Sequence, residues 1–236
     1  MEAMQSRIRL EKKNRRAVAR CERLLLPHLP VQLVTHFSPD RSNIEQYITD
    51  RFYMSYQAKI STFLPYLLST HTDNNLTAAL GFQPATENQP LFLEQYMTSA
   101  IEEVVSSLTL QNVARNKIVE IGNLTSSRRG TSQILFILIV AILYEAGFEW
   151  TVFTATSQVK QLIEKLNLNT TTLCDANPDY LADKGESWGS YYDNKPTVLL
   201  GNLADAVTLL KQHSVIGFAL HNYQSTIVNI ARQIKQ

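Results

Sequence analysis

The stretch that decides the fold runs from residue 117 to residue 156. It reads Lys117-Ile-Val-Glu-Ile-Gly-Asn-Leu124, then Thr125-Ser-Ser-Arg-Arg-Gly-Thr-Ser132, an apolar run over 134–143, Tyr144-Glu-Ala-Gly147, and Trp150-Thr-Val-Phe-Thr-Ala-Thr156. The first run is short, rich in β-branched residues and bounded by turn formers, so it predicts a strand. The apolar run predicts a helix buried on all sides. Gly147 predicts its stop and 150–156 a second strand. The loop between strand and helix carries Arg128, Arg129 and Gly130. It falls where backbone N–H groups lack intrahelical partners. Those donors, the helix dipole and the two guanidinium groups all favour an anion, and a cofactor phosphate is the anion such a corner suits. Strand–loop–helix units with a Gly and an Arg also occur as plain scaffold. The loop is not a Walker A motif, since no Gly-Lys-Ser/Thr follows the glycine, and it lacks the glycine triplet of a dinucleotide fingerprint.

Working outward, 236 residues with 44% apolar content are enough for one large or two small domains with a proper core. A net charge of +1 gives no general pull towards nucleic acid. Cys21 and Cys174 match no metal spacing and read as reduced thiols; no metal site is expected. There is no secretory pattern, and the run at 134–143 is half the roughly 20 residues a membrane span needs, so a cytoplasmic location is expected. Residues 1–26 carry eight basic against three acidic residues. They predict a basic helical arm, either solvated or in contact with an acidic partner, a carrier protein or a membrane.

Between these landmarks the pattern alternates strand and helix. Val31 begins a first strand. Ser42, with Glu45 three positions on, predicts a capping box and a helix to about Ala58. That helix brings Arg51 towards the core side, as an ion-pair partner or a substrate anchor. Residues 60–68, 76–83 and 91–96 read as strands, with Pro65 limiting the first to an edge or bulge and the His71-Thr-Asp-Asn-Asn segment as a polar turn. A helix follows, opened by Ser99. Beyond residue 156, an amphipathic helix (157–166), a long polar stretch (169–187), a strand (197–200) and helices over 202–211 and 226–234 complete the chain, with 215–220 open to either form. The expected class is mixed α/β.

Two resemblances rest on these residues. The segment 119–156 resembles the acyl-CoA-binding core of the GNAT acyltransferases, whose fourth strand leads into an R/Q-x-x-G-x-G/A loop that holds a pyrophosphate. The matching hexad is Ser127-Arg128-Arg129-Gly130-Thr131-Ser132. Gly130 fits, whereas Ser127 and Ser132 stand where that family has Gln/Arg and Gly/Ala. Second, Phe63-Leu-Pro-Tyr-Leu-Leu, Ala79-Leu-Gly-Phe-Gln-Pro-Ala, Leu91-Phe-Leu-Glu-Gln-Tyr, Ile118-Val-Glu-Ile-Gly-Asn-Leu, Trp150-Thr-Val-Phe-Thr-Ala-Thr and Trp188-Gly-Ser-Tyr-Tyr occur in the order found in the thermostable haemolysin family.

The resemblance implies a GNAT-like fold akin to acyl-homoserine-lactone synthases, with a mostly antiparallel sheet splayed between two parallel strands and helices on both faces. It divides the chain into a basic arm (1–30), a GNAT-like domain (31–201) and a C-terminal extension packed on the core (202–236). The implied activity is N-acyl transfer from acyl-CoA or an acyl carrier protein, as co-substrate rather than tightly bound cofactor, to a small amine. The alternatives are a membrane-active haemolysin or an acyl-CoA binder without catalysis.

Under the acyl-transfer reading, residues 127–132 form the phosphate cradle. Glu120, a carboxylate on an apolar strand, is the base, or else the partner of Arg51 or Arg115 in an ion pair. Asn123 binds a substrate carbonyl or ends the strand. Tyr191 or Tyr192 is the acid towards the leaving thiolate, or a packing residue. Arg51, Glu94, Tyr96, Thr154 and Trp188 face the acceptor.

Overall fold

The computed structural model describes residues 29–128 and 130–235. Arg129 and nearly all of the basic N-terminal arm lie outside the described residues.

Seven strands form one sheet: β1 (Val31–Val34), β2 (Tyr66–Thr72), β3 (Asn75–Pro84), β4 (Ile118–Ser126), β5 (Trp150–Ala155), β6 (Thr171–Asp175) and β7 (Thr197–Asn202). Their order is β1-β2-β3-β4-β5-β7-β6. Every neighbouring pair is antiparallel except β4–β5. The β2–β3 hairpin turns on Asp73 and Asn74, both at positive φ, which matches the right-handed twist of the flanking strands.

Seven α-helices accompany the sheet among the described residues: α1 (Arg41–Tyr56), α2 (Ile101–Thr109), α3 (Thr131–Glu145), α4 (Ser157–Lys165), α5 (Leu203–Gln212), α6 (Ser214–Asn222) and α7 (Gln224–Ile234). Strand alternation decides which side each residue serves. On β3, Ala78, Leu80 and Phe82 join the core around α3, while Ala79 joins the core under α1. On β4, Val119 and Ile121 face α3, so Glu120 and Ile118 face the opposite side. Helices therefore cover both faces. All residues of α3 from 134 to 143 are buried, because α5 and α7 close over the side the sheet leaves open. Gly147, at φ 94°, takes the left-handed position that ends the helix.

The decisive feature lies between β4 and β5. Their parallel pairing runs from Ile118–Trp150 to Ile121–Phe153 and stops there. Beyond that point β4 stays with β3 as far as Ser126, and β5 stays with β7. A bulge accompanies the parting: Gly122 to Thr125 on β4 oppose only Gly81 to Ala79 on β3, and Asn123 sits at φ 53°.

Several local expectations change. Residues 91–96 fold as a 3-10 helix (Phe92–Tyr96), because the Glu94 carboxylate accepts from the Leu91 N–H and closes a tight turn. The strand expected from residue 60 starts only at Tyr66. Before it the chain makes an irregular strap, whose Leu64 and Pro65 carbonyls accept from the buried Arg41 guanidinium. The capping box at Ser42 is absent. Asp40 is the N-cap residue, and Glu45 takes the Arg41 Nε at 2.7 Å instead. Helix α2 starts after Ala100, without a side-chain cap from Ser99. His71 belongs to β2, one position before the hairpin's last paired residue. The polar stretch 169–187 contains the edge strand β6, whose exposed residues hid its pattern, and 215–220 belongs to α6.

Ile139 is fully buried at the centre of α3. Ile139→Ala is expected to lower stability by about 2–5 kcal/mol through lost burial and the cavity left behind, read as a shift in the urea midpoint at constant slope.

Candidate functional site

A cleft of about 2080 Å³ opens where β4 and β5 part. One wall is β4 from Glu120 to Ser126, which from Gly122 onward has left β5. The other is Phe153, Thr154 and Thr156, continued by Gln158, Val159, Gln161, Leu162 and Lys165 of α4. The head of α3 closes one end. At the other end α1 presents Arg51, Phe52, Ser55 and Tyr56, next to the strap, Phe92, Tyr96 and Trp188.

Glu120 is 4% exposed and lines this cleft. Its Oε2 accepts from the Phe92 N–H at 2.8 Å. Neither candidate ion pair forms: Arg115 binds Glu94 and Glu102, and Arg51 makes no ion pair among the described residues. Burial pushes the Glu120 carboxyl up to about 8, against the pull of the Phe92 and Leu93 amides and with a small further push from the Glu94 charge. The 3-10 helix that supplies those amides is anchored by Glu94. That carboxylate binds Arg115 through both oxygens and accepts from the Leu91 and Ile101 N–H groups. Burial raises the Glu94 pKa, but the Arg115 hydrogen bond and the two amides outweigh it and hold it below the ordinary value. Glu94 is thus committed to scaffold and lies outside the cleft lining.

Asn123 is held by the strap. Its Oδ1 accepts from the Leu64 N–H at 3.1 Å, and its side chain lies against Gly81, where an added Cβ would stand 2.8 Å from that oxygen. The strap is held in turn by Arg41. Asn123 and Thr154 both line the cleft.

An aromatic wall completes the α1 end. Tyr191 packs on Trp188, Tyr56 and Tyr192 with ring centroids 5.2 Å apart in each case, and stacks on Phe52 at 6.3 Å. The segment bearing it docks on the end of α1. Ser190 N–H donates to the Tyr56 carbonyl at 2.8 Å, and Lys59 N–H donates to the Ser187 carbonyl at 2.6 Å. Gly189 allows this approach, with φ 52° and a hypothetical Cβ only 2.1 Å from the Tyr56 carbonyl oxygen. Burial raises the Tyr191 hydroxyl pKa, with smaller pushes from Tyr192 and Tyr56. The close hydroxyl contact belongs to Tyr192, 2.6 Å from the Tyr96 hydroxyl. Burial pushes Tyr192 up to about 12 despite that bond, and burial followed by the Tyr192 contact raises Tyr96 as well.

At the head of α3, Gly130 has φ 91° and lets the loop turn into the helix. Fewer residues of the hexad meet the cleft than the pattern suggests. Ser127 N–H donates to the Thr77 carbonyl, and Ser127 is not in the cleft lining. Thr131 N–H and Oγ1 both go to the Arg128 carbonyl, at 3.3 and 2.7 Å. Arg128, Gly130, Thr131 and Ser132 line the cleft, and the Ser132 amide has no partner among the described residues. Gln133, Ser55, Tyr56, Phe63 and Lys165 also line it and were missed. Helical spacing from Arg51 pointed to Ser55, and the position after Ser132 pointed to Gln133. Phe63 opens one of the motifs that carry the family resemblance, but only as part of an expected strand; nothing in the sequence marked Lys165.

Among the described residues there is no group of acids, histidines or cysteines able to hold a metal, and no helix long and apolar enough to cross a membrane. The strongest apolar helix, α3, is interior.

A sheet of this order, parted between its one parallel pair, with a glycine-headed helix at the mouth, defines a GNAT-like fold. FeeM, an N-acyl amino acid synthase from uncultured soil microbes, matches with TM-score 0.53 and 10% identity over 80% of this chain and 98% of that one. BjaI, a CoA-dependent acyl-homoserine lactone synthase whose structure holds SAM and isopentyl-CoA, matches with TM-score 0.52 and 10% identity over 80% and 90%. Residues 34–207 match the family model described as Thermostable hemolysin, and the chain belongs to that family. A search of curated proteins finds no match.

Two outcomes follow from this geometry. Gly189→Ala is expected to lower stability by at least about 2 kcal/mol, because a side chain there is both strained and in collision with backbone; thermal melting checks it. Glu120, raised in the fold, contributes its stability in full below the ordinary carboxyl pKa and loses it as pH rises through about 8. Glu120→Gln is therefore expected to gain stability relative to the parent between pH 5 and pH 9, read from urea midpoints at the two values.

Proposed function

We propose that the protein is an N-acyltransferase that moves an acyl group from acyl-CoA, or an acyl carrier protein, to an amine. The observation that supports this best is a buried carboxyl, Glu120, on the strand that leaves its parallel neighbour and opens a cleft beside the head of a helix.

In this reading Arg128, Gly130, Thr131 and Ser132 receive the phosphates of the thioester carrier, where helix-end amides and positive charge favour an anion. The carrier's extended arm enters the splay, where β4 has backbone groups that β5 does not pair. Asn123 keeps its Oδ1 on Leu64 and has an amide donor left for the thioester carbonyl oxygen. Glu120, once ionised, takes a proton from the incoming ammonium. The freed nitrogen lone pair attacks the carbonyl carbon, the C–N bond forms, and collapse of the tetrahedral intermediate breaks the C–S bond. The leaving thiolate takes a proton from a tyrosine hydroxyl of the wall, Tyr191 or its neighbour Tyr192; the second proton on the nitrogen passes to that tyrosine oxygen as the amide forms, and Glu120 returns its proton to solvent. Arg51, Tyr96, Thr154 and Trp188 border the acceptor's side.

The test is direct. Incubation with acyl-CoAs of graded chain length should raise the melting temperature, and adding an accepted amine should release free thiol. Log kcat/KM should climb with pH and level off near pH 8, since the ionised form of Glu120 does the work. Glu120→Gln should remove that inflection and about two orders of magnitude of rate. A melting shift without thiol release for any amine would instead indicate a carrier-binding protein without catalysis. No shift with any acyl-CoA or acyl carrier protein would defeat the proposal.

A further inference from the structure

Two rows of α1 meet the cleft. Arg51 and Ser55 stand on one and Phe52 and Tyr56 on the other, each pair four residues apart. The Arg51 Nε is buried and has no hydrogen-bond partner among the described residues. The guanidinium's recorded contact is weak, from Nη1 to the Met54 sulfur at 3.7 Å. Nearby acids are engaged elsewhere: Glu45 with Arg41, Asp50 with Gln46, and Glu94 with Arg115. Asp73 lines the cleft from the β2–β3 turn without forming an ion pair among the described residues. A buried guanidinium N–H without an acceptor is costly, and a ligand that supplies the acceptor removes the cost. The planar fork of arginine suits a carboxylate.

The place of Arg51 separates this site from the phosphate cradle. Helix α1 packs on the face that Glu120 shares, whereas α3, preceded by the loop that carries Arg128, packs on the other. Beside Arg51 the aromatic wall of Phe52, Tyr56, Trp188 and Tyr191 offers an apolar surface.

We infer that the amine acceptor is an amino acid: Arg51 binds its carboxylate while the aromatic wall takes an apolar side chain. That the bound molecule is an acceptor rests on the acyl-transfer reading; the recognition of the acid does not need turnover.

The test uses a matched pair of ligands, N-octanoyl-phenylalanine and N-octanoyl-phenethylamine, which differ only in the carboxylate. Their Kd values are measured by calorimetry on the full chain, with coenzyme A as a third ligand. The acid should bind the parent protein at least about tenfold more tightly than its decarboxylated match. Arg51→Met should abolish that difference while leaving the Kd values of the decarboxylated ligand and coenzyme A in place, and Arg51→Lys should restore part of it. Equal binding of the pair by the parent protein, or binding of neither, would overturn the inference whether or not any variant folds. So would a preference that survives Arg51→Met, or an equal weakening of coenzyme A, which would make Arg51 a phosphate ligand. If the acid preference holds but octanoyl-CoA and phenylalanine release no thiol, acyl transfer fails and the carboxylate site stands.

Discussion

The structure depends on the parting of two parallel strands. A parallel pair would ordinarily continue while both strands have backbone to share, since unpaired N–H and C=O groups carry a cost when buried. Here pairing ends after Ile121 and Phe153, although both strands run on. The bulge at Asn123 turns β4 towards β3, and β5 follows β7. Everything chemical about the site is arranged around the gap: a carboxyl at its apex, a helix head at its mouth and an aromatic wall at its far end.

Holding the gap open takes a chain of contacts. Arg41 fixes two carbonyls of the strap, the strap's Leu64 amide fixes Asn123, and Asn123 occupies the bulge. On the other side, Arg115 and Glu94 fix the short helix whose amide meets Glu120. In each series a charged group just outside the cleft lining sets the position of a polar group inside it. The arrangement allows the cleft itself to carry few fixed charges, so Glu120 and Arg51 meet little internal compensation.

Much of this was legible in the residues. β-branched runs and the apolar block at 134–143 marked β4, α3 and β5, because burial on both sides leaves no alternation to misread. Glu120 stood out as the one acid in an apolar strand. The gap itself was implied only by resemblance, since pairing partners are not written in local pattern. Three errors share a cause. Residues 60–65, 91–96 and 171–175 take their form from distant partners: Arg41, the Glu94–Arg115 pair, and the neighbouring strand β7. Ser127 of the hexad stays out of the cleft lining for the same reason, as it spends its amide on Thr77, fifty residues earlier.

The docking of Ser190 on Tyr56 joins positions 134 residues apart. During synthesis α1 emerges early, and its aromatic row lacks its partners Trp188 and Tyr191 until the Trp188–Tyr192 segment has left the ribosome. A contact of such long range is also slow to form, because the loop it closes is large. The aromatic side of the chamber is therefore completed only late in chain growth, together with β7, which holds β5 in place.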